Sequence, residues 1–380
     1  MFYKKKKILT VGAYERDNFG DLLFFLLLKH ILGRKYEFIA GSTISKSSHN
    51  PLGVQIFNYG DILKTGEYDY VWIVGGEIGG VSVESAIKMN YGDQPDHSKQ
   101  REAAINKIKN SASIAYLPEI SKVKTKVKII VNSVGLSGLD YVDIAARKQA
   151  YKTLTSSDYV SVRDPNSYRL LRLNKIKTRL YPDFIHLISH YFNQLPKPNG
   201  LPEKYITVQL SEEIASKYKL DSIAKILSSL STESKSKIVF FVAGTAYGHD
   251  SLSVYNKLTQ LVPNSTIFES RDPFLLAGVI KHSNMWIGSS LHGRIIAASY
   301  GIRRISIRKE KIDNYASTWD RTQPYGIDVV DTLDAYRQAL ETTNTTLKDE
   351  ADRLTYLAKE NLKNINRILS SKNKEWDTGL

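Results

Sequence analysis

Along almost the whole chain, short apolar runs rich in β-branched and aromatic residues alternate with longer amphipathic stretches. The short runs read as strands and the longer ones as helices. In the first half the strand-like runs are KILTVGA, YEFIAG, YVWIVGG, KIIVNSVG and YVSVRD, with helix-like stretches such as GDLLFFLLLKHIL and residues 143–155 between them. A second series starts near Lys204 and runs YITVQL, KIVFFVAG, STIFES, MWIGSS and RRISIR. Two successive βα series predict an α/β protein with two doubly wound, Rossmann-like domains facing each other across a cleft. The joint falls in NQLPKPNGLPEK, residues 193–204, where three prolines and a glycine interrupt both patterns. The expected division is residues 1–195, residues 204–331, and a charged helical segment over 332–380 that packs back on the domains.

Composition narrows the function classes. With 380 residues, 42% hydrophobic and 24% charged, the chain can build two cores. It has no cysteine, which rules out disulfides, thiolate nucleophiles and cysteine-bound metals and suits a cytoplasmic enzyme. The start, MFYKKKKILTVGAYERD, imitates a secretory signal, but its apolar run is short and soon meets Glu15, Arg16 and Asp17. A first buried strand behind a lysine cluster is the expectation there. The run LLFFLLL, Leu22 to Leu28, is far below the roughly 20 residues that span a bilayer. A net charge of +14 is spread over KKKK, KVKTKVK and IRRISIRKEK without a nucleic-acid-binding motif. That favours an anionic substrate, or peripheral contact with the inner face of a membrane, over nucleic acid.

In open α/β sheets, ligands sit outside the carboxyl ends of the strands, so each strand-to-loop junction is a candidate. After the first strand, in VGAYERDNFGDLLFF, Asn18 and Asp21 can cap a helix and Gly20 lets backbone approach a ligand, with first-turn N–H groups suited to an anion. After YVWIV, four glycines surround Glu77, a carboxylate able to accept a proton from a sugar hydroxyl. In YVSVRDPNS, Arg163 follows a strand and can fork a carboxylate or phosphate, while Asp164 before Pro165 reads as a helix cap. In GSSLHGRIIAASYG, Ser289 and Ser290 end a strand, and His292 and Arg294 open a helix. Two hydroxyls, an imidazole and a guanidinium at a helix N-terminus make an anion site with an acid/base group beside it. His249 and Asp250, in VAGTAYGHD, are acceptor-side candidates. His186 and His190 in HLISH lack the glutamate of a zinc-protease motif, and no metal site is expected.

Taken in order, NFGD, the glycine-rich turn after VWIV, SVRDPNS, YPD at Tyr181 to Asp183 and SSLHGRIIAASYGI resemble the polysaccharide pyruvyl transferases, over about Val11 to Ile307. The resemblance implies a fold similar to the GT-B glycosyltransferases and transfer of a pyruvyl group from phosphoenolpyruvate to two hydroxyls of a sugar or lipid-linked glycan, giving a cyclic ketal and phosphate. Phosphoenolpyruvate would be a co-substrate, with no further cofactor. The resemblance puts Arg163 and His292 at the chemistry and Lys311 on the donor, with Lys309 as the competing lysine. Asn18, Gly20, Asp21, Ser289, Ser290 and Arg294 would complete the donor site, and Glu77 and His249 would face the acceptor. The chain departs from the family pattern at Glu77, where a third glycine is common, at Phe19 and at Arg303. Two rivals remain open at this level: a GT-B glycosyltransferase using a nucleotide sugar, and a non-catalytic glycan-assembly protein.

Overall fold

A computed structural model describes residues 5–371 apart from 93, 94, 125, 126 and 247; residues 372–380 of the expected tail lie outside it. The strands of the first sheet are β1 (Lys6–Val11), β2 (Tyr36–Ser42), β3 (Ile56–Asn58), β4 (Tyr70–Ile73), β5 (Gly76–Glu77), β6 (Lys128–Gly135), β7 (Tyr159–Val162) and β8 (Arg179–Leu180). They run in the order β3-β2-β1-β4-β6-β7-β8, with β5 paired to β6. The second sheet holds β9 (Tyr205–Gln209), β10 (Lys237–Phe241), β11 (Ser265–Phe268), β12 (Met285–Gly288) and β13 (Arg303–Ser306), ordered β11-β10-β9-β12-β13. All pairings between these strands are parallel, so every connection is a crossover and the helices cover both faces. Each strand-like run of the sequence is a strand here. The strands without a sequence counterpart, β3, β5 and β8, have three, two and two residues, too short to show a period.

Between the sheets the cores merge. Helix Phe19–Leu32 is apolar nearly all round, as an element buried on several sides must be. Its leucines share one cluster with Leu276, Val279 and Ile280 of helix Pro273–Lys281 and with Trp286 and Ile295 beyond the cleft. Phe19 meets the ring of Phe241 edge-on at 5.2 Å. The backbone crosses as well: the Phe19 N–H donates to Ala243 O at 3.0 Å and the Thr245 N–H to Asp17 O at 3.1 Å.

The last helix, Asn344–Ser370, spans the two sheets. Near its start Glu350 accepts from Arg304 at 2.6 Å. Toward its end Asn361 accepts from Tyr159 at 2.6 Å and donates to Asn132 and Ser133, both at 2.9 Å. No described helix is long and apolar enough to cross a membrane.

A buried ionic cluster fixes helix Leu291–Ser299. The Arg294 Nε lies 2.8 Å from Asp320, and its terminal nitrogens donate to Ser306 Oγ and to the carbonyls of Asp320, Gln323 and Pro324. Arg304 grips the same carboxylate at 2.7 and 2.5 Å. Burial opposes ionisation of Asp320, but the two guanidiniums outweigh it and hold the carboxyl below its ordinary range. The expected donor role of Arg294 is therefore corrected: its guanidinium faces the interior of the second unit, and both terminal nitrogens are engaged there. Removing one partner of such a cluster strands the others, so Asp320→Asn should cost about 3–5 kcal/mol. Denaturant unfolding measures this; a loss under 1 kcal/mol would mean the arginines find other partners.

Candidate active site

The loop after β1 delivers a cation. Asn18 caps helix Phe19–Leu32, its Oδ1 accepting the Gly20 N–H at 3.1 Å. Asp21 accepts from Arg16 Nε at 3.1 Å and lies 3.1 Å from its NH2, while the guanidinium lies over the Tyr116 ring at 5.9 Å. Two residues expected to hold an anion are thus occupied in capping the helix and orienting Arg16, which sequence reading passed over. The available signal was ERD, a charged triplet directly behind a buried strand.

Gly20 has a different role from the expected one. A Cβ built there would fall on the imidazole of His292, so the position is left empty for a side chain of the opposite wall and not for a ligand. Gly293 repeats the device: a Cβ there would strike the Trp286 ring beneath the helix terminus.

From the first sheet, Arg163 follows β7 and is 3% exposed, enough burial to require a partner. Its NH1 donates to Asp183 at 2.9 Å, and NH2 stands 3.7 Å from Glu77. Asp183 is the aspartate of YPD, which explains that motif as the fixed counter-charge of Arg163. Glu77 is held loosely; burial raises its carboxyl pKa, Arg163 pulls it back, and Oε1 has no hydrogen-bond partner.

The second sheet supplies the other wall. Ser289 is an anchor: its N–H donates to Gln209 Oε1 at 2.9 Å and its Oγ accepts the Ser211 N–H at 3.0 Å. Ser290 caps helix Leu291–Ser299, its Oγ accepting the Gly293 N–H at 3.3 Å. The helix itself leaves the first-turn N–H groups of Leu291 and His292 unsatisfied, and both residues line the cavity. The His292 ring packs edge-on against Phe24 at 5.4 Å, and its buried Nε2 has no partner.

These residues enclose a cavity of about 300 Å³ lined by Arg16, Asn18, Asp21, Glu77, Arg163, Ser289, Ser290, His292, His249, Asp250, Lys309 and Lys311, among others. A more apolar cavity of about 350 Å³ lies beyond the Phe19–Ala243 crossing; its charged lining is Asp17, Glu269 and Arg271, and Arg271 is paired to Asp17 at 2.9 Å. The chemistry gathers in the first. Lys309 is tied to Glu213 at 3.2 Å, whereas Lys311 has no carboxylate partner among the described residues. Crowding by protein, with Lys309 and Arg163 close by, pushes the Lys311 ammonium down to about 8, although the residue is solvent-exposed and water moderates the push. Burial and the charges of Arg163, Lys311 and Arg16 hold His292 well below its usual pKa, so the imidazole is neutral. Burial and Arg16, Lys311 and Lys309 likewise push His249 down to about 3. His186 takes no part: it is buried between Tyr315 and Ser299, at 2.8 and 2.9 Å, while His190 is exposed.

The same architecture occurs in solved structures. A putative UDP-N-acetylglucosamine 2-epimerase from Listeria monocytogenes superposes with a TM-score of 0.58 at 9% identity, covering 97% of this chain and 98% of that one. The UDP-GlcNAc 2-epimerase of Neisseria meningitidis gives 0.53 at 12% identity over 95% and 100%. A sucrose-phosphate synthase from Thermosynechococcus elongatus gives 0.52 at 11% identity over 96% and 99%. The fold is thus GT-B-like, two parallel α/β units with a C-terminal helix. No curated protein matches by sequence. Polysaccharide pyruvyl transferase is the family whose sequence profile fits residues 18–308, and the chain belongs to that family.

In an ordinary first helical turn, Gly→Ala stabilises slightly. At Gly20 the imidazole is in the way, and overpacking typically costs about 1–3 kcal/mol. Thermal unfolding of Gly20→Ala should therefore show a loss; a gain would mean that His292 does not lie against this helix.

Proposed function

We propose that this chain transfers the pyruvyl group of phosphoenolpyruvate to two hydroxyls of one sugar, forming a cyclic ketal and releasing phosphate. The observation that carries the reading is the unpartnered Nε2 of His292 in a cavity ringed by Arg16, Arg163 and Lys311. Phosphoenolpyruvate brings two anionic groups to such a cage, a carboxylate and a phosphate. Lys311, the guanidiniums and the first-turn N–H groups of Leu291 and His292 supply donors for both. Cations of the chain carry the charge stabilisation.

The neutral imidazole becomes useful when the anion arrives. Burial first, and then Arg163, Lys311 and Arg16, keep His292 deprotonated; the bound charges offset those three cations and so favour a proton on Nε2. The imidazolium then protonates the methylene carbon as a sugar oxygen attacks the central carbon, and the second hydroxyl displaces phosphate. Positioned proton transfer of this kind contributes about 10² to 10⁴ in rate. The acceptor is a glycan or its precursor, in keeping with the family.

Donor binding should follow the titration of Lys311. Its pKa is lowered to about 8, so the free protein loses this positive charge as pH rises through that value. Millimolar phosphoenolpyruvate should raise the melting temperature at pH 7, by roughly 2.7 kcal/mol of added stability at 100 times Kd, and less so above pH 8. Lys311→Arg should keep the shift at alkaline pH, and Arg163→Ala should abolish it. A response to uridine diphosphate with none to phosphoenolpyruvate would turn the reading to glycosyl transfer.

A further inference from the structure

Ketal formation removes a proton from each of two hydroxyls, and the cations and His292 do not account for where those protons go. Asp250 lines the cavity from the second sheet, opposite Arg163 of the first. Its Oδ2 accepts the Ala243 N–H at 2.6 Å and its Oδ1 accepts Gln209 Nε2 at 2.5 Å. Gln209 cannot be turned over, because its Oε1 accepts the backbone N–H of Ser289 at 2.9 Å and must remain the oxygen. The amide nitrogen therefore has to face Asp250. Each carboxyl oxygen accepts from one of these donors, the Gly244 N–H adds a further pull, and a carboxylate with about four acceptor sites keeps one for a hydroxyl. This is a carboxyl fixed in direction at the edge of the anion site, with no ion pair among the described residues to occupy it.

We propose that Asp250 is the base that takes the proton of the attacking acceptor hydroxyl, with Gln209 as its positioning residue. The proposal rests on the pyruvyl-transfer reading. As the sugar oxygen bonds to the central carbon, the electron pair of the double bond moves to the methylene carbon and takes the proton of the His292 imidazolium. The hydroxyl proton passes to Asp250. Phosphate then leaves with its bonding pair, protonated by Asp250, and the second sugar oxygen bonds in its place. The regenerated carboxylate takes the second hydroxyl proton, which returns through solvent to His292. In sum, one hydroxyl proton ends on the methyl group and one on phosphate.

The surroundings suit a group that cycles its proton. Burial raises the Asp250 carboxyl to about 7 against the pull of the Ala243 N–H, Gln209 and Lys309. Lys309, itself paired to Glu213, is a cation whose charge lowers it. His249 precedes it in the chain and is held neutral, Arg16 and Lys311 share the cavity, and the Tyr255 hydroxyl lies behind, bonded to the backbone of Leu210.

The test uses the full chain with phosphoenolpyruvate and, as diol probes, methyl β-D-glucoside, galactoside and mannoside. Asp250→Asn should keep the thermal shift given by phosphoenolpyruvate while turnover falls about 10² to 10⁴-fold. The wild-type rate should rise with pH through about 7, as the base deprotonates, and this limb should vanish in the variant. Asn at this position also sets its amide against that of Gln209, so the double variant Asp250→Asn with Gln209→Glu restores the donor and acceptor pairing while moving the carboxylate. It should stay inactive. Recovery of turnover in the double variant, or turnover of Asp250→Asn within threefold of wild type, would overturn the proposal and leave the donor reading intact. Loss of the phosphoenolpyruvate shift in the wild type itself would instead overturn the reading beneath it.

Discussion

The cleft depends on one close approach, that of the helix beginning at Phe19 to the helix beginning at Leu291. The His292 ring occupies the volume that a side chain at position 20 would need, and Phe24 closes the same ring from its edge. Two domains can be brought together by any greasy surface, but few such contacts place an imidazole. Here the apolar helix Phe19–Leu32 gives the docking energy and the missing Cβ gives the register. The buried cluster of Arg294, Asp320, Arg304 and Glu350 then keeps the opposing helix from turning, and the last helix ties that cluster to the first sheet. Stability is distributed over both units, while the chemistry is concentrated where they meet.

Charge is arranged with the same economy. Arg16, Arg163 and Lys309 are each oriented by a carboxylate of the chain, Asp21, Asp183 and Glu213. Fixed partners of this kind reduce the reorganisation that a ligand must drive. Lys311 and the unsatisfied helix terminus supply the excess positive charge, and burial together with the cations around it keeps His292 neutral. In the proposed reaction, a bound anion offsets those cations and draws a proton onto His292, which then serves as the acid.

Much of the fold was legible because buried parallel strands leave continuous apolar runs, and the longer of these were strands. β3, β5 and β8 were not legible, since two or three residues carry no period. At the site, Arg163 and Ser289 were legible because they stand directly after strands, whose ends face the cleft, whereas Lys311, in the first turn of a helix, was indicated only by the family resemblance. Arg294 failed for a geometric reason: two positions on from His292 in a helix is about 200° around the axis, so a helix that turns His292 to the cleft turns Arg294 away. Arg16 was passed over although ERD marks it locally, and the roles of Asp183 and Gln209 were hidden because their partners, Arg163 and Asp250, lie 20 and 41 residues away.

The central claim is that the donor protonates its own acid as it binds. Calorimetric titration of phosphoenolpyruvate near pH 7, repeated in buffers of different ionisation enthalpy, counts the protons taken up. The account predicts that wild type takes up close to one proton, by roughly that amount more than His292→Asn, because the histidine is neutral before binding and charged after it. Equal uptake in the two proteins, or none in the wild type, would contradict it.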